Sequence, residues 1–321
     1  MVEQLTSWLD ATVIALTATI TNAMQQDIYR ILHMPPSSSV VAVLPERSNI
    51  FIEVCDKKAD TNDLLWLIDI VKFGSMVPKV VLFSRTITEV KDLYFFFAEQ
   101  LQNYKGGIRN NRIVDMFHGA TPEEDKDRIL EQFSSGASPT RILLATIAFG
   151  LGIDIPDIRL VINWGLPNSI LQYWQEAGRA GRNGAPSVNL VYRVGRLDRH
   201  VSRDIKKVFI SGVCLRRQIM MYFKLSEADY NDENTAPSHP SCETPCTCQL
   251  CLCCSNCQRS CACSQKVTLL ERIDVQINRP SPADSHTSTC AVSSLDSSKI
   301  SGRGRSPDDS SGSSDSSDVA D

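Results

Sequence analysis

The chain has 321 residues, 42% hydrophobic and 22% charged, which suits one or two domains with a sizeable core. Its formal net charge of -4 excludes a globally basic nucleic-acid binder, so any such contact has to be local. The apolar run from Ala11 to Ile20 is too short to span a bilayer, and Glu3 and Asp10 stand where a signal peptide carries positive charge. On these features neither a membrane span nor an export signal is expected here, and the protein reads as soluble and intracellular.

In chain order, a strand is predicted over Val13 to Leu16 and a helix over Asn22 to Leu32. Pro35-Pro36-Ser37-Ser38-Ser39 and a strand over Val40 to Leu44 follow. From Pro78 onward strand and helix signals alternate. Val80 to Phe83 is a short apolar run suited to a buried strand. After it comes a capping box, Thr86-Ile87-Thr88-Glu89, with Val90, Leu93, Tyr94, Phe97 and Leu101 at helical spacing. A strand is predicted over Ile113 to Phe117, then a second capping box, Thr121-Pro122-Glu123-Glu124, with Ile129, Leu130 and Phe133 facing inward. Strands at Arg141 to Ala145 and Leu160 to Asn163, a helix from Ser169 to Ala177 and a strand at Val188 to Tyr192 complete the series. This alternation predicts a mostly parallel sheet with helices on both faces, and ligands in such folds gather beyond the carboxyl ends of the strands.

Two helices are predicted next. Leu197 to Phe209 turns Val201, Ile205 and Val208 to one face, and Val213 to Phe223 does the same with Leu215, Ile219 and Tyr222 or Phe223. Ser226 to Pro240 is a polar, acidic loop. Nine of the twelve cysteines then crowd between Cys242 and Cys263, and in a chain without an export signal metal binding is a better default than disulfides. Cys248, Cys251, Cys254 and Cys257 recur every third residue, the Cys-x-x-Cys spacing that supplies pairs of zinc ligands, and Cys214 lies upstream on a helix. Cys246, Cys248, Cys261, Cys263 and His239 are rival ligands, and a shifted register or a second metal stays open. From Asp284 the chain is rich in Ser and Asp, a composition expected to be disordered.

The most informative stretch is Gln175-Glu176-Ala177-Gly178-Arg179-Ala180-Gly181-Arg182-Asn183-Gly184. Two arginines three apart in a glycine-rich turn offer charged planar forks to phosphate, and the glycines would let backbone approach a charged ligand. A solvated basic loop is the plain alternative. With Tyr173-Trp174 before it, the stretch resembles motif VI of superfamily 2 helicases, and specifically the RecQ branch. Arg141 to Pro156, with Thr146, Gly152 and Asp154, is similar to motif V of that family. Val80 to Thr86 is similar to motif IV, Phe117-His118-Gly119 to the motif after it, and Ala15-Leu16-Thr17-Ala18-Thr19 to motif III. The five blocks stand in the family's order over roughly Val13 to Arg193. Pro45 to Ile50 resembles the segment leading into the second lobe.

The resemblance implies an α/β chain: a RecA-like parallel sheet with helices on both faces, then a small helical zinc-binding module and a disordered tail. The implied division is a remnant of a first helicase lobe and crossover over 1–45, the C-terminal RecA-like domain over 46–195, the RecQ-type zinc module over 196–264, and the tail over 265–321. Neither a Gly-Lys-Ser/Thr phosphate loop nor an Asp-Glu-x-His box occurs in the sequence, so the first lobe is expected to be absent and the motor incomplete without it.

By motif match, Arg182 is the principal arginine finger with Arg179 beside it and Gln175 coupling the sites. Gly152 and Asp154 are expected, with the two arginines, at ATP and its Mg. Ser84, Arg85, His118, Gly119 and Thr146 are expected along single-stranded or forked DNA, and Cys214, Cys251, Cys254 and Cys257 on Zn. The implied function is part of an ATP-dependent 3′ to 5′ DNA helicase acting in recombination, repair or replication in the nucleus. A non-catalytic nucleic-acid-binding or helicase-regulating module is the alternative.

Overall fold

The computed structural model describes residues 13–35, 37–57, 60–102, 104, 112–150, 153–194, 198, 201–225, 253–261 and 267–278, all within one compact unit spanning 1–291. Six strands form one sheet: β1 (Ile50–Lys57), β2 (Lys79–Phe83), β3 (Val114–Phe117), β4 (Ile142–Ala145), β5 (Ile158–Trp164) and β6 (Ser187–Val194). Their spatial order is β1-β6-β5-β2-β4-β3, and every pairing is parallel. In register, Phe83 lies beside Ala145 on one side and Asn163 on the other.

The central strands are apolar at consecutive positions because both faces are covered. Val80 and Leu82 turn to one face, where α2 (Leu65–Phe73) and α3 (Ile87–Gln100) pack. Val81 and Phe83 turn to the other, against α4 (Glu123–Ser134) and Phe149. Val80, Val81 and Leu82 are all 0% exposed, and each such burial is worth roughly 1.5–3 kcal/mol. Further along that second face, Ile52 and Val191 meet α5 (Ile170–Ala177), α6 (Arg203–Ile210) and α7 (Leu215–Phe223). The expected α/β architecture is therefore present. No helix among the described residues is long and apolar enough to cross a membrane.

Local signals held where they did not compete with tertiary contacts. Thr86 and Glu89 form the expected reciprocal capping box, and Ser169 caps α5 by accepting from the Gln172 amide. The second expected box does not form. Thr121 Oγ1 instead accepts from the His118 amide and contacts its Nδ1, so α4 starts after Pro122 without a side-chain cap. In α7, Phe223 is the buried member of the Tyr222 and Phe223 pair.

Other expectations are corrected. Residues 13–16 and 40–44 are not strands: neither segment is paired among the described residues, and Leu16 and Val41 are more than 90% exposed. The intervening helix, α1 (Asn22–Ile31), is present and capped by Thr21. The expected helix from Leu197 begins only at Arg203. Residues 267–278, placed in the tail by the implied domain division, fold onto the sheet through α9 (Leu269–Arg272). Leu269, Ile273 and Val275 are buried there, Arg272 stacks on the Phe51 ring at 3.5 Å, and Thr268 and Glu271 form a capping box. Three apolar residues at favourable spacing suffice to dock so short a segment. Residues 279–321 lie outside the described residues.

Candidate nucleotide and nucleic-acid site

Because the sheet is parallel, segments that follow strands lie at its carboxyl edge. Ser84 and Arg85 follow β2, Thr146 follows β4, and His118 and Gly119 follow β3, three neighbouring strands. The Ser84 amide donates to the Ala145 carbonyl (2.9 Å) and the Thr146 amide to the Phe117 carbonyl (3.2 Å), which ties the three turns together. Ser84, His118 and Thr146 are buried, Arg85 is half-buried, and the Arg85 amide donates to Glu89 (3.0 Å). Burial, then repulsion from Lys91 and Lys126, lowers the His118 pKa, so the imidazole is held neutral in a positive neighbourhood. A Cβ added at Gly119 would meet nothing within 4 Å.

The motif VI loop lies elsewhere. It joins the end of α5 to the start of β6, so it sits at the amino edge. The Gly181 amide donates to the Ile158 carbonyl (2.7 Å) and the Asn183 amide to the Pro156 carbonyl (3.1 Å). This loop therefore lies away from the carboxyl ends of the strands, where ligands of such a sheet were expected to gather. The connection from Thr146 to β5 joins the two edges. Gly152, expected at the nucleotide, falls in that connection and lies outside the described residues.

At the amino edge, Arg182 is exposed and pairs with Asp154 (Nη1 to Oδ1, 2.7 Å). Arg179 is buried, and its Nη1 donates to the Ile153 carbonyl (2.5 Å), which also receives Arg182 Nη1 at 3.0 Å. Arg182 therefore faces solvent, whereas Arg179 braces the motif V segment. Gln175 is exposed on α5.

Sequence reasoning missed the residues that shape this loop. Arg47 donates to the carbonyls of Ala180 (3.1 Å), Gly181 (2.8 Å) and Gly178 (3.4 Å), and Asn49 donates to those of Gly181 (2.8 Å) and Ala185 (3.0 Å). The Pro45–Ile50 resemblance was the available signal, but it assigned no contacts. Burial and then repulsion by Arg182 lower the Arg47 pKa, and the same two causes, in that order, lower that of Arg179. Three guanidinium groups thus crowd one loop, with Asp154 as the carboxylate bonded to Arg182. Gly181 has φ +55°, and a Cβ there would lie 2.5 Å from Asn49 Nδ2 and from Ser187 Oγ. That glycine is required by the fold, not by the approach of a ligand.

Between the two edges runs a buried polar network. Glu176 accepts from Asn163 (2.6 Å) and Gln172 (2.8 Å); Asn189 donates to Asn163 (2.8 Å) and accepts from the Tyr173 hydroxyl (2.6 Å). Burial raises the Glu176 pKa to about 7 against those two hydrogen bonds. A small cleft of about 10 Å³, at the lower limit of what holds one water, lies beside it against Ser84 and Arg85.

Beyond the sheet, Cys214, Cys253, Cys254 and Cys257 are all buried, with sulfurs within 4.8 Å of one another. Cys214 caps α7, and Cys254 and Cys257 bracket the start of α8 (Ser255–Ser260). Four thiolates around one zinc at about 2.3 Å would stand about 3.8 Å apart. The closest pairs, Cys214 with Cys253 (3.6 Å) and Cys254 with Cys257 (3.4 Å), fit that spacing. The expected set had Cys251 as the fourth ligand; that residue lies outside those described, and among the described residues Cys253 stands with the other three. The module is fastened to the sheet by buried Arg216, which donates to Glu46 (2.6 Å) and to the Arg47 carbonyl (2.7 Å).

Residues 62–184 match the family described as helicase conserved C-terminal domain. Residues 62–184 therefore carry that domain. More particularly, the chain resembles RecQ-type helicases. It is 32% identical over 184 residues to ATP-dependent DNA helicase Q1 of Pongo abelii, covering 57% of this chain and 26% of that protein. It is 32% identical over 183 residues to the probable ATP-dependent DNA helicase RecS of Bacillus subtilis (strain 168), covering 56% and 34%. A putative ATP-dependent RNA helicase, R290 of Acanthamoeba polyphaga mimivirus, is 33% identical over 176 residues, covering 54% and 29%. The chain thus spans about a quarter to a third of the length of these relatives.

Proposed function

We propose that this chain supplies the second motor lobe and zinc module of a RecQ-like ATP-dependent 3′ to 5′ DNA helicase acting in the nucleus. The observation that carries the reading is the guanidinium crowd at the amino edge: Arg47, Arg179 and Arg182 gather at one loop, a concentration of positive charge suited to a nucleotide's phosphates. Arg182 is the finger. Its exposed pair with Asp154 is worth at most about 1 kcal/mol, so the carboxylate is readily exchanged for phosphate. Arg179 and Arg47 hold the loop in shape, while Asp154 keeps Arg182 extended. ATP with Mg supplies the phosphoryl chemistry; this chain contributes charge neutralisation and orientation.

On this reading the carboxyl edge tracks single-stranded or forked DNA. Arg85 reaches phosphate, and buried Ser84, Thr146 and His118 set the turns that admit the backbone at Gly119. Zinc, held by Cys214, Cys253, Cys254 and Cys257, fixes the helical module against the sheet. No Gly-Lys-Ser/Thr or Asp-Glu-x-His occurs in the 321 residues, so turnover requires a first lobe carrying both. With that lobe supplied, Arg182→Ala is expected to lower DNA-stimulated ATPase about 10³- to 10⁵-fold with unchanged melting. Retention of turnover within tenfold would sink the finger assignment. Should DNA binding persist with no ATPase under any first lobe, the chain is a non-catalytic nucleic-acid-binding module instead.

A further inference from the structure

α6 and α7 form a helical hairpin whose inner faces share one apolar cluster: Ile205, Val208 and Phe209 from α6 and Leu215, Ile219 and Phe223 from α7 gather with Tyr173 and Trp174 of α5. With both helices laid on that layer, their outer faces point the same way. Arg203, Lys207 and Ile210, four and three apart, form the outer stripe of α6. Arg217 and Met221, four apart, form that of α7, and Val213 lies in the turn between the helices. All six are exposed, Ile210 at 68%, Val213 at 60% and Met221 at 64%. Single exposed apolar residues are ordinary, but three on one hairpin, set among cations, mark a contact surface.

The charge of this face has one sign. Asp204 is the sole carboxylate between residues 201 and 225, although the whole chain carries a net charge of -4. Among the described residues no ion pair holds Arg203, Lys207 or Arg217. The hairpin is also braced from behind. Asn256 Nδ2 donates to the carbonyls of Ser211 (2.8 Å) and Val213 (2.7 Å), Gln218 donates to the Ser211 hydroxyl (2.5 Å), and Arg193 donates to the Phe209 carbonyl (2.8 Å). A surface fixed before its partner arrives pays less ordering entropy on binding.

We propose that this face docks an acidic amphipathic helix of a protein partner. Apolar anchors at helical spacing on the partner cover Ile210, Val213 and Met221, and the Asp and Glu residues flanking them meet Arg203, Lys207 and Arg217 at the rim. α6 and α7 are 8 and 9 residues long. At about 1.5 Å per residue each offers roughly 12–14 Å, room for two to three turns of a partner helix. Nucleic acid would satisfy the three cations, but a phosphate backbone leaves the three apolar side chains in water, so a peptide accounts for more of the surface. The proposal stands apart from the motor reading, because it uses neither edge of the sheet.

A phage-displayed library of random peptides about 16 residues long, roughly four helical turns, is selected on the full chain purified with zinc present. Enriched peptides are then synthesised and their binding followed by fluorescence anisotropy. They should be acidic, carry apolar residues at helical spacing, and bind with Kd of about 1–100 μM. Two variants leave the buried face of the hairpin untouched and should melt as the parent does. Ile210→Ser with Met221→Ser should weaken binding at least about tenfold at low and high salt alike. Lys207→Ser with Arg217→Ser should weaken it about fivefold at low salt and remove most of its salt dependence. Peptides that bind both variants as tightly as the parent, or no enrichment over a blank surface, would overturn the proposal. So would a DNA duplex whose binding falls on the basic variant while no peptide is retained, an outcome that assigns the face to nucleic acid.

Discussion

At the amino edge of the sheet, Gly181 is locked at φ +55° against Asn49 and Ser187, and the arginines around it are committed to carbonyls or to Asp154. At the carboxyl edge, Gly119 faces open space, and the polar residues beside it are buried by their own turns. Both regions read alike in sequence, as a glycine beside polar residues after a regular element. The difference teaches that glycine can serve the fold in one motif and leave room for a ligand in another, and only the surroundings distinguish the two uses.

The comparison is sharpened most by paired glycine substitutions. Gly181→Ala forces a left-handed backbone on a side chain that overlaps two neighbours, and is expected to cost about 3 kcal/mol in urea unfolding. Gly119→Ala should change stability by less than about 0.5 kcal/mol, while weakening single-stranded DNA binding. Equal costs at the two positions would remove the distinction.

Glu176, between the edges, gives an effect of similar size in pH. Its folded-state pKa, raised to about 7 by burial, lies above the ordinary carboxylate value of 4.5, so the folded protein holds a proton that the unfolded chain has lost. Stability should therefore be undiminished below pH 4.5, fall as pH rises, and level off above about 7. The full change is roughly 3 kcal/mol. Glu176→Gln should flatten that slope in denaturation series across the same range; an unchanged slope would place the titration elsewhere.

A smaller effect is expected at Arg47, where alanine removes the side-chain donors to three loop carbonyls at a cost of about 2 kcal/mol. Because Arg47 shapes the loop that carries Arg182, Arg47→Ala should also weaken nucleotide binding in the complete motor. Lysine should restore little of either, since one ammonium cannot reproduce the forked geometry. Full rescue by lysine would mean that charge alone is at work.

Much of the fold was legible because its signals are local. The apolar runs at Val80–Phe83 and Arg141–Ala145, the Thr86–Glu89 box and the Ser169 cap each depend on residues within a few positions of one another. β1 and α2 carry equally strong apolar patterns but lie in the gap between the motif III-like and motif IV-like blocks, and neither was assigned. The thiol cluster was half legible. Spacing pointed to Cys254 and Cys257 and the RecQ resemblance to Cys214, but choosing between Cys251 and Cys253 depends on how the chain turns into α8.

The sequence by itself determined the alternation of strands and helices from Val80 to Tyr192, the presence of a helicase-like motif set and the existence of a cysteine-rich module, since these are written in periodicity and short spacings. The tertiary structure alone decided that the motifs divide between opposite ends of the sheet, that Arg179 is a brace while Arg182 is exposed, and that Arg47 and Asn49 build the loop. Those outcomes turn on strand direction and on contacts spanning more than a hundred residues, which no local pattern encodes.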